Sequence, residues 1–128
     1  ACTVAVAWVF EGQVHVFQVG DSHIFLVREG EVQCLTDTES ESGKKLDHIL
    51  GMGPAVSEVI RVSEHPVQAG DALILVTDGV TGLVDPETFG QTWDGSHGDP
   101  AACTQTILGA VARQQGTDDA TVVAALVL

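Results

Sequence analysis

Short runs of apolar and β-branched residues, separated by turn-forming residues, recur along most of this sequence. The first, Thr3 to Phe10, ends at Glu11-Gly12, and the second, Val14 to Val19, ends at Gly20-Asp21-Ser22, after which His23 to Val27 resumes the pattern. Runs of this kind are typical of β-strands, and glycine-containing breaks are typical of the turns between them. The pattern predicts a meander of adjacent antiparallel strands.

Later parts of the chain add strands of two kinds. Val32 to Leu35 completes the meander, and Val56 to Val62 alternates apolar and polar residues as a half-buried strand does. Ala72 to Val76 is an unbroken apolar run, which predicts a central strand buried on both faces. Ala120 to Leu128, another apolar run, predicts a further buried strand.

The best helix signal follows Asp99-Pro100, which combines an N-cap residue with proline at the first helical position. Gly116 is a candidate C-cap for this helix, and Asp85-Pro86 repeats the start signal for a shorter one. The residues expected on the buried face of the longer helix are Cys103, Ile107, Ala110 and Val111.

The remaining segment is less regular. Thr36 to Lys45 contains no apolar residue and predicts a solvated loop, whereas Leu46 to Leu50 could form one helical turn. About seven strands with one long and one or two short helices predict an α+β fold, an antiparallel β-sandwich flanked by helices, with residues 1–128 in a single domain. Because the strands are apolar on both faces, one amphipathic helix covers too little of them.

Charge and cysteine content exclude several classes of partner and site. The 128 residues include 5 Lys+Arg and 18 Asp+Glu, a formal net charge of −13, so nucleic acid and anionic membrane surfaces are not expected partners. The apolar runs are far shorter than the ~20 residues of a membrane-spanning helix, and no signal-peptide pattern is visible. Three widely spaced cysteines suit neither a disulfide framework nor a zinc ribbon and indicate a reducing compartment, the cytoplasm.

Acidic residues stand at the ends of three predicted strands. Asp21 follows the second strand, Asp78 follows the central strand, and Asp118 with Asp119 precedes the last one. Carboxylates at strand ends can converge on one edge of a sheet, and carboxylate oxygens suit Mg²⁺ or Mn²⁺, which keep several waters. Taken singly, each aspartate is better explained as a turn residue or N-cap than as a metal ligand, since Asp beside Gly is a common turn pair.

The order of four motifs resembles the type 2C, or metal-dependent (PPM), serine/threonine protein phosphatase family. In that family the motifs read V-G-D-S-R, L-T, G-D-x-L-L-L-x-S-D-G-L-T and G-S-x-D-N-x-T-V-V-V. The corresponding segments here are Val19-Gly20-Asp21-Ser22, Leu35-Thr36, Gly70 to Thr81 and Gly116 to Val123. The two longer motifs are specific, and together the four extend along most of the chain.

The resemblance implies a β-sandwich with helical layers outside it, in α-β-β-α order, and a centre of two Mn²⁺ or Mg²⁺ ions at one end. It implies that Asp78 and Asp118 are ligands of a core metal and that Asp21 with Asp78 holds a third, more labile ion. A metal-bound water, and no side chain, is then the catalytic nucleophile. The implied substrate is a protein phosphorylated on serine or threonine in a signalling pathway with a Ser/Thr kinase.

Several positions depart from the family pattern. His23 stands where the family has arginine and Asp119 where it has asparagine; with Gly79 they are candidate supporting residues. The family's D-G-M-G-G segment, whose aspartate bridges both core metals, has no counterpart in residues 1–128. The resemblance therefore covers the C-terminal part of the domain, and we expect a fold that is incomplete at its N-terminus and a metal site that lacks one ligand.

Three functions are compatible with these observations. A metal-dependent protein phosphatase explains the motif order and the three strand-end aspartates. A catalytically inactive phosphatase-like domain with a binding or regulatory role explains the missing D-G-M-G-G segment. A purely structural β-rich module would leave the motif order unexplained.

Overall fold

The structure is a computed structural model that describes residues 2–36 and 60–128. It contains seven strands in the described ranges, together with three α-helices and one 3₁₀ turn at Pro86–Thr88. The strands are β1 Val4–Phe10, β2 Gln13–Val19, β3 His23–Arg28, β4 Glu31–Cys34, β5 Arg61–Pro66, β6 Ala72–Val76 and β7 Val122–Leu126. The helices are α1 Asp78–Thr81, α2 Phe89–Gly95 and α3 Pro100–Arg113.

The strands form two antiparallel sheets, with orders β1-β2-β5 and β4-β3-β6-β7. The predicted meander is therefore wrong at one point, because β2 and β3 belong to different sheets. Gly20, with a φ of 100°, lies at the change of sheet, in a backbone conformation that glycine adopts without strain. The apolar pattern of the strands was visible in the sequence. The sheet to which each strand belongs was not.

The two sheets pack face to face on a core of aliphatic side chains. Inward-facing residues alternate along β2, as expected for a strand with one buried face. The buried residues of this layer are Val14, Val16, Ile24, Leu26, Leu35 and Leu73. β6 lies between β3 and β7 and is buried over most of its length, which confirms the predicted central strand.

The helices cover the outer face of the sheet β4-β3-β6-β7. From α3, Cys103, Ile107 and Val111 are buried in this layer, as the periodicity predicted, whereas Ala110 is only half-buried. From α2, Phe89 packs edge-on against Phe25 of β3 with ring centroids 5.3 Å apart. The α+β sandwich with flanking helices is thus confirmed, with its helical layer on this sheet.

None of the described helices covers the outer face of the sheet β1-β2-β5. Trp8 is 55% exposed and Phe10 49% exposed, with their rings stacked at a centroid distance of 5.6 Å. Val62, on β5 at the opposite edge of the sheet, is 61% exposed. This uncovered apolar face agrees with the expectation that the described helices cover only one side of the sandwich.

The predicted helix starts are confirmed by their capping bonds. The side chain of Asp99 accepts a hydrogen bond from the Ala101 amide at 3.0 Å, and Asp85 caps the 3₁₀ turn by accepting from the Glu87 amide at 3.0 Å. The predicted C-cap is wrong: α3 ends at Arg113, with Gln114 as its right-handed cap. None of the described helices is long and apolar enough to span a membrane.

Two strand predictions need correction. β5 covers Arg61–Pro66 and so continues beyond the predicted strand from Val56 to Val62, of which positions 56–59 fall outside the described residues. β7 covers only Val122–Leu126, at the edge of its sheet, and several of its residues are exposed rather than buried. The predicted polar loop and the helical turn at Leu46–Leu50 fall outside the described residues, apart from Thr36.

Candidate functional site

Three strand ends lie side by side at one end of the larger sheet. In the antiparallel register, His23 at the start of β3 is paired with Val76 at the end of β6. Val76 is in turn paired with Val122 at the start of β7. Residues that immediately precede β3, follow β6 or precede β7 are therefore placed at the same end of the sandwich.

All three predicted metal ligands lie at this end, which we call the carboxylate edge. Asp21 is two residues before β3, Asp78 is the first residue of α1 directly after β6, and Asp118 is four residues before β7. Asp78, Asp118 and its neighbour Asp119 are exposed, whereas Asp21 is half-buried. Solvent-exposed carboxylates at the end of a sheet are accessible to a cation and to a substrate.

The turn that carries Asp21 is held by buried polar groups. Gln18, 3% exposed, donates from Nε2 to the carbonyl oxygens of Gly20 and Ser22 at 3.1 and 3.0 Å. The hydroxyls of Ser22 and Thr3 are hydrogen-bonded at 3.1 Å, which ties the turn to the chain just before β1. These bonds restrict the position of Asp21 between the two sheets.

The segment that carries Asp118 is fixed to the end of β6. The Thr77 amide donates to the Thr121 carbonyl at 3.2 Å, and the Thr77 hydroxyl accepts from the Thr121 amide at 3.0 Å. Gly79 lies against the same segment: a Cβ on Gly79 would overlap the main-chain carbonyl of Asp119. The glycine is therefore required by the close approach of two backbones, which holds the segment that carries Asp118 against the start of α1.

Replacing Gly79 with alanine should push this segment away from α1. We expect the variant to lose about 1–3 kcal/mol of unfolding free energy, because a methyl group would meet backbone that is already fixed by hydrogen bonds. Denaturant unfolding measures this loss. The matched control is Gly95→Ala in α2, where nothing lies within 4 Å of the added methyl, and stability should be unchanged or slightly higher. Equal stability of both variants would contradict the contact.

His23, the first residue of β3, lies at the carboxylate edge, and Thr36 anchors its ring. Its Nδ1 is hydrogen-bonded to Thr36 Oγ1 at 3.0 Å, and the same Oγ1 accepts from the Ile24 amide at 3.3 Å. Since that hydroxyl already accepts one bond, its own proton is available for Nδ1. These two hydrogen bonds give Thr36 a structural role. In the sequence, the Leu35-Thr36 motif was visible only as part of a family resemblance, with no function for Thr36.

Burial lowers the pKa of His23 below its usual value, although the carboxylates of Asp21 and Asp78 oppose this by raising it. Both aspartates are therefore close enough to act electrostatically on the same imidazole. With a lowered pKa, His23 is mainly neutral at pH 7. Unlike an arginine, it contributes no fixed positive charge to this edge.

The chemistry of the donor set suits a hard divalent cation, since three carboxylates offer oxygen ligands. Within residues 2–36 and 60–128, however, no group of three or more His, Cys, Asp or Glu side chains is arranged to hold a metal ion. The described carboxylates thus suit Mn²⁺ or Mg²⁺ in chemical type, but they are not gathered around a common metal position.

Asp71, in the Gly70-Asp71 part of the third motif, lies away from this edge and has a structural role. It is 1% exposed and accepts two hydrogen bonds from Arg28, from Nε to Oδ1 at 2.9 Å and from Nη2 to Oδ2 at 2.6 Å. The Gln68 amide also donates to Oδ2 at 2.9 Å. The hydrogen bond from Arg28 lowers the pKa of Asp71, and this effect outweighs that of burial, which raises the pKa.

Comparison with known structures supports the same fold. The chain is similar to PppA of Pseudomonas aeruginosa, a key regulatory component of the T6SS, with a TM-score of 0.81 and 18% identity over 95% of this chain and 55% of that one. It is also similar to the Mycobacterium tuberculosis serine/threonine phosphatase PstP/Ppp, with a TM-score of 0.78 and 19% identity over 97% of this chain and 59% of that one.

A third similar structure is the catalytic domain of the phosphatase PstP in complex with two manganese ions, at a TM-score of 0.77 and 20% identity over 98% of this chain and 59% of that one. The chain thus spans less than two thirds of the length of these structures. No curated protein sequence matches it. The protein phosphatase 2C family model matches residues 1–117. The chain therefore belongs to the protein phosphatase 2C family.

Proposed function

We propose that residues 1–128 form part of a metal-dependent phosphatase domain that hydrolyses phosphoserine or phosphothreonine in proteins. The observation that carries this proposal is the placement of Asp21, Asp78 and Asp118 at one end of the sandwich in a chain of this family. A structural module needs no such set of carboxylates at a single edge.

In this proposal Asp78 and Asp118 hold a core Mn²⁺ or Mg²⁺ ion, and Asp21 with Asp78 holds a further one. When bound, such ions supply a Lewis acid and lower the pKa of a coordinated water. Thr77, through its paired bonds to Thr121, ties the segment that carries Asp118 to the end of β6, and Gln18 holds the turn that carries Asp21. Neutral His23 leaves the carboxylates free of a competing cation.

A second function, an inactive phosphatase-like domain that binds phosphoproteins, is favoured by one observation. The described residues contain no cluster of three or more metal-ligating side chains, so the carboxylate edge alone does not complete a coordination shell. In that case the same edge would take part in binding or regulation without turnover.

We further propose that the substrate is a phosphoprotein of a signalling pathway with a Ser/Thr kinase, and that the domain acts in the cytoplasm. The three cysteines, Cys2, Cys34 and Cys103, are all free thiols, which is consistent with a reducing compartment. The net charge of −13 disfavours nucleic acid and anionic membranes as partners.

Hydrolysis of a phosphothreonine peptide tests the proposal. For the protein that contains these residues, we expect phosphate release with Mn²⁺, background release in EDTA, and recovery when Mn²⁺ is restored. Asp78→Asn should stay near background under all three conditions, because it removes a charged oxygen ligand.

Release that persists unchanged in EDTA would contradict a metal-dependent mechanism. Absence of release by a correctly folded protein that still binds the peptide would favour the inactive domain.

A further inference from the structure

The imidazole of His23 is held in one orientation at the carboxylate edge. Its Nδ1 lies 3.0 Å from the hydroxyl of Thr36, a residue that is only 5% exposed. The ring also lies beside Phe25, on the same face of β3, with ring centroids 6.3 Å apart. The Leu35 amide donates to the Ile24 carbonyl at 2.8 Å, which holds the backbone next to Thr36 against β3. These contacts restrict the rotation of the ring.

The bonds of Thr36 decide which ring nitrogen of His23 carries the proton. The Ile24 amide can only donate, so Thr36 Oγ1 accepts from it at 3.3 Å. The other two neighbours of Oγ1 are His23 Nδ1 at 3.0 Å and Cys34 Sγ at 3.4 Å. The Cys34 thiol donates to the Thr36 carbonyl at 3.1 Å, and its sulfur is a weak acceptor. The Thr36 hydroxyl therefore donates to Nδ1, which places the proton of the neutral ring on Nε2.

The Nε2–H group of His23 is a hydrogen-bond donor in either charge state of the ring. Protonation adds a proton at Nδ1 and leaves the proton at Nε2 in place. No residue in the described part of the chain accepts a hydrogen bond from Nε2, and the His23 side chain is half-buried rather than enclosed. The ring thus presents one donor of fixed direction.

This donor lies near two carboxylates that do not take it up. Asp21 and Asp78 both raise the pKa of His23, against the larger opposite effect of burial. Neither of them forms an ion pair with His23 within residues 2–36 and 60–128. An arginine, which the family has at this position, would bring a permanent charge and several donors and would compete for the carboxylate oxygens. A single N–H group leaves those oxygens to a cation.

We propose that Nε2–H of His23 donates a hydrogen bond to an oxygen of the substrate's phosphoryl group, and that Thr36 is the positioning residue that keeps the proton on Nε2. This inference rests on the proposed function, because a cation at the carboxylate edge is what allows an anion to approach three aspartates. Hydrogen bonds from N–H groups to phosphate oxygens are among the stronger ones in proteins. His23 is then a substrate-binding residue.

The tautomer is tested on the metal-free protein by long-range ¹H–¹⁵N NMR of the histidine rings. We expect the proton of neutral His23 on Nε2, with Nδ1 unprotonated. Thr36→Val removes the hydroxyl and should populate both tautomers, whereas Thr36→Ser should retain the wild-type one. Thr106→Val is the matched control, because the Thr106 hydroxyl donates to the Ala102 carbonyl in α3, and it should leave His23 unchanged. A wild-type ring with its proton on Nδ1 would overturn the inference.

The phosphate contact is tested by titrating inorganic phosphate into the protein in diamagnetic Mg²⁺. We expect the Nε2–H resonance of His23 to shift, and phosphate to bind about 10-fold more weakly to His23→Leu, as for loss of a hydrogen bond to a charged group. His23→Gln keeps an N–H donor of similar reach and should retain most of the affinity. His97→Asn removes an exposed imidazole between α2 and α3 and should bind phosphate as the wild type does.

Phosphate that leaves Nε2–H unshifted, or that binds folded His23→Leu as tightly as the wild type, would overturn the inference. Metal-dependent hydrolysis of p-nitrophenyl phosphate reports on the proposed function separately. Hydrolysis without a shift at His23 would contradict the phosphate contact alone. A shift that depends on His23, in a protein that does not hydrolyse this compound, would contradict the proposed hydrolysis and support the phosphate contact.

Discussion

Replacing Asp78 with asparagine is expected to weaken Mn²⁺ binding by at least about 100-fold. Asp78 would contribute to more than one ion, and loss of a partner that only orients a ligand already costs about 10- to 100-fold in metal affinity. Asparagine keeps the size of the side chain and its exposed position at the start of α1, so the loss reflects charge and coordination rather than unfolding. Isothermal titration calorimetry with Mn²⁺ measures it.

Asp94→Asn provides the matched control, because Asp94 is an exposed aspartate of α2 with the same charge. We expect its Mn²⁺ affinity to equal that of the wild type. If the wild type binds Mn²⁺ no more tightly than the double variant Asp78→Asn, Asp118→Asn, these residues are not ligands.

Replacing Asp71 with alanine should destabilise the fold by about 1.5–3 kcal/mol, the usual worth of hydrogen bonds to a charged group. The carboxylate is 1% exposed and receives two bonds from Arg28 and one from the Gln68 amide. Its removal leaves all three donors without their acceptor in the turn before β6. Urea unfolding measures the change, and Asp94→Ala, which removes an exposed carboxylate, should differ little from the wild type.

The stabilisation by Asp71 should also depend on pH. Because Arg28 lowers its pKa in the folded protein, the folded state favours the ionised form more than the unfolded state does. The contribution is fully present above the unfolded pKa of about 3.9 and is lost as pH falls through the lower, folded pKa. Wild type and Asp71→Ala should therefore converge in stability in that acidic window. A constant difference down to the folded pKa would contradict the ion pair.

The strands and helix starts could be predicted because they depend on local chemistry. The unbroken apolar run of β6 and the capping residue Asp99 each act within a few residues of the chain. The change of sheet between β2 and β3 could not be predicted, because pairing is decided by which distant strand lies beside each one. The end of α3 at Arg113 was missed for a different reason: glycine is a frequent C-cap, but Gln114 caps this helix in a right-handed conformation that needs no glycine.

The position of the candidate site could be predicted from the sequence, but the hydrogen bonds that hold its residues in place could not. Aspartates at strand ends are visible in the sequence, and antiparallel pairing brings those ends together. The bonds that hold them join distant residues, such as Thr77 with Thr121 and His23 with Thr36. No local pattern in the sequence signals such pairs. The ion pair of Arg28 with Asp71 is hidden in the same way, because the two residues are 43 positions apart.

Anomalous X-ray diffraction from crystals of the protein grown with Mn²⁺ tests the assignment of the carboxylate edge most directly. We expect a manganese peak coordinated by Asp78, with Asp118 or Asp21 as a second carboxylate ligand. The peak should be absent from Asp78→Asn crystals grown in the same way. A wild-type protein whose manganese lies only at other carboxylates, or that shows no peak at saturating Mn²⁺, would contradict a metal-dependent phosphatase site built on these three aspartates.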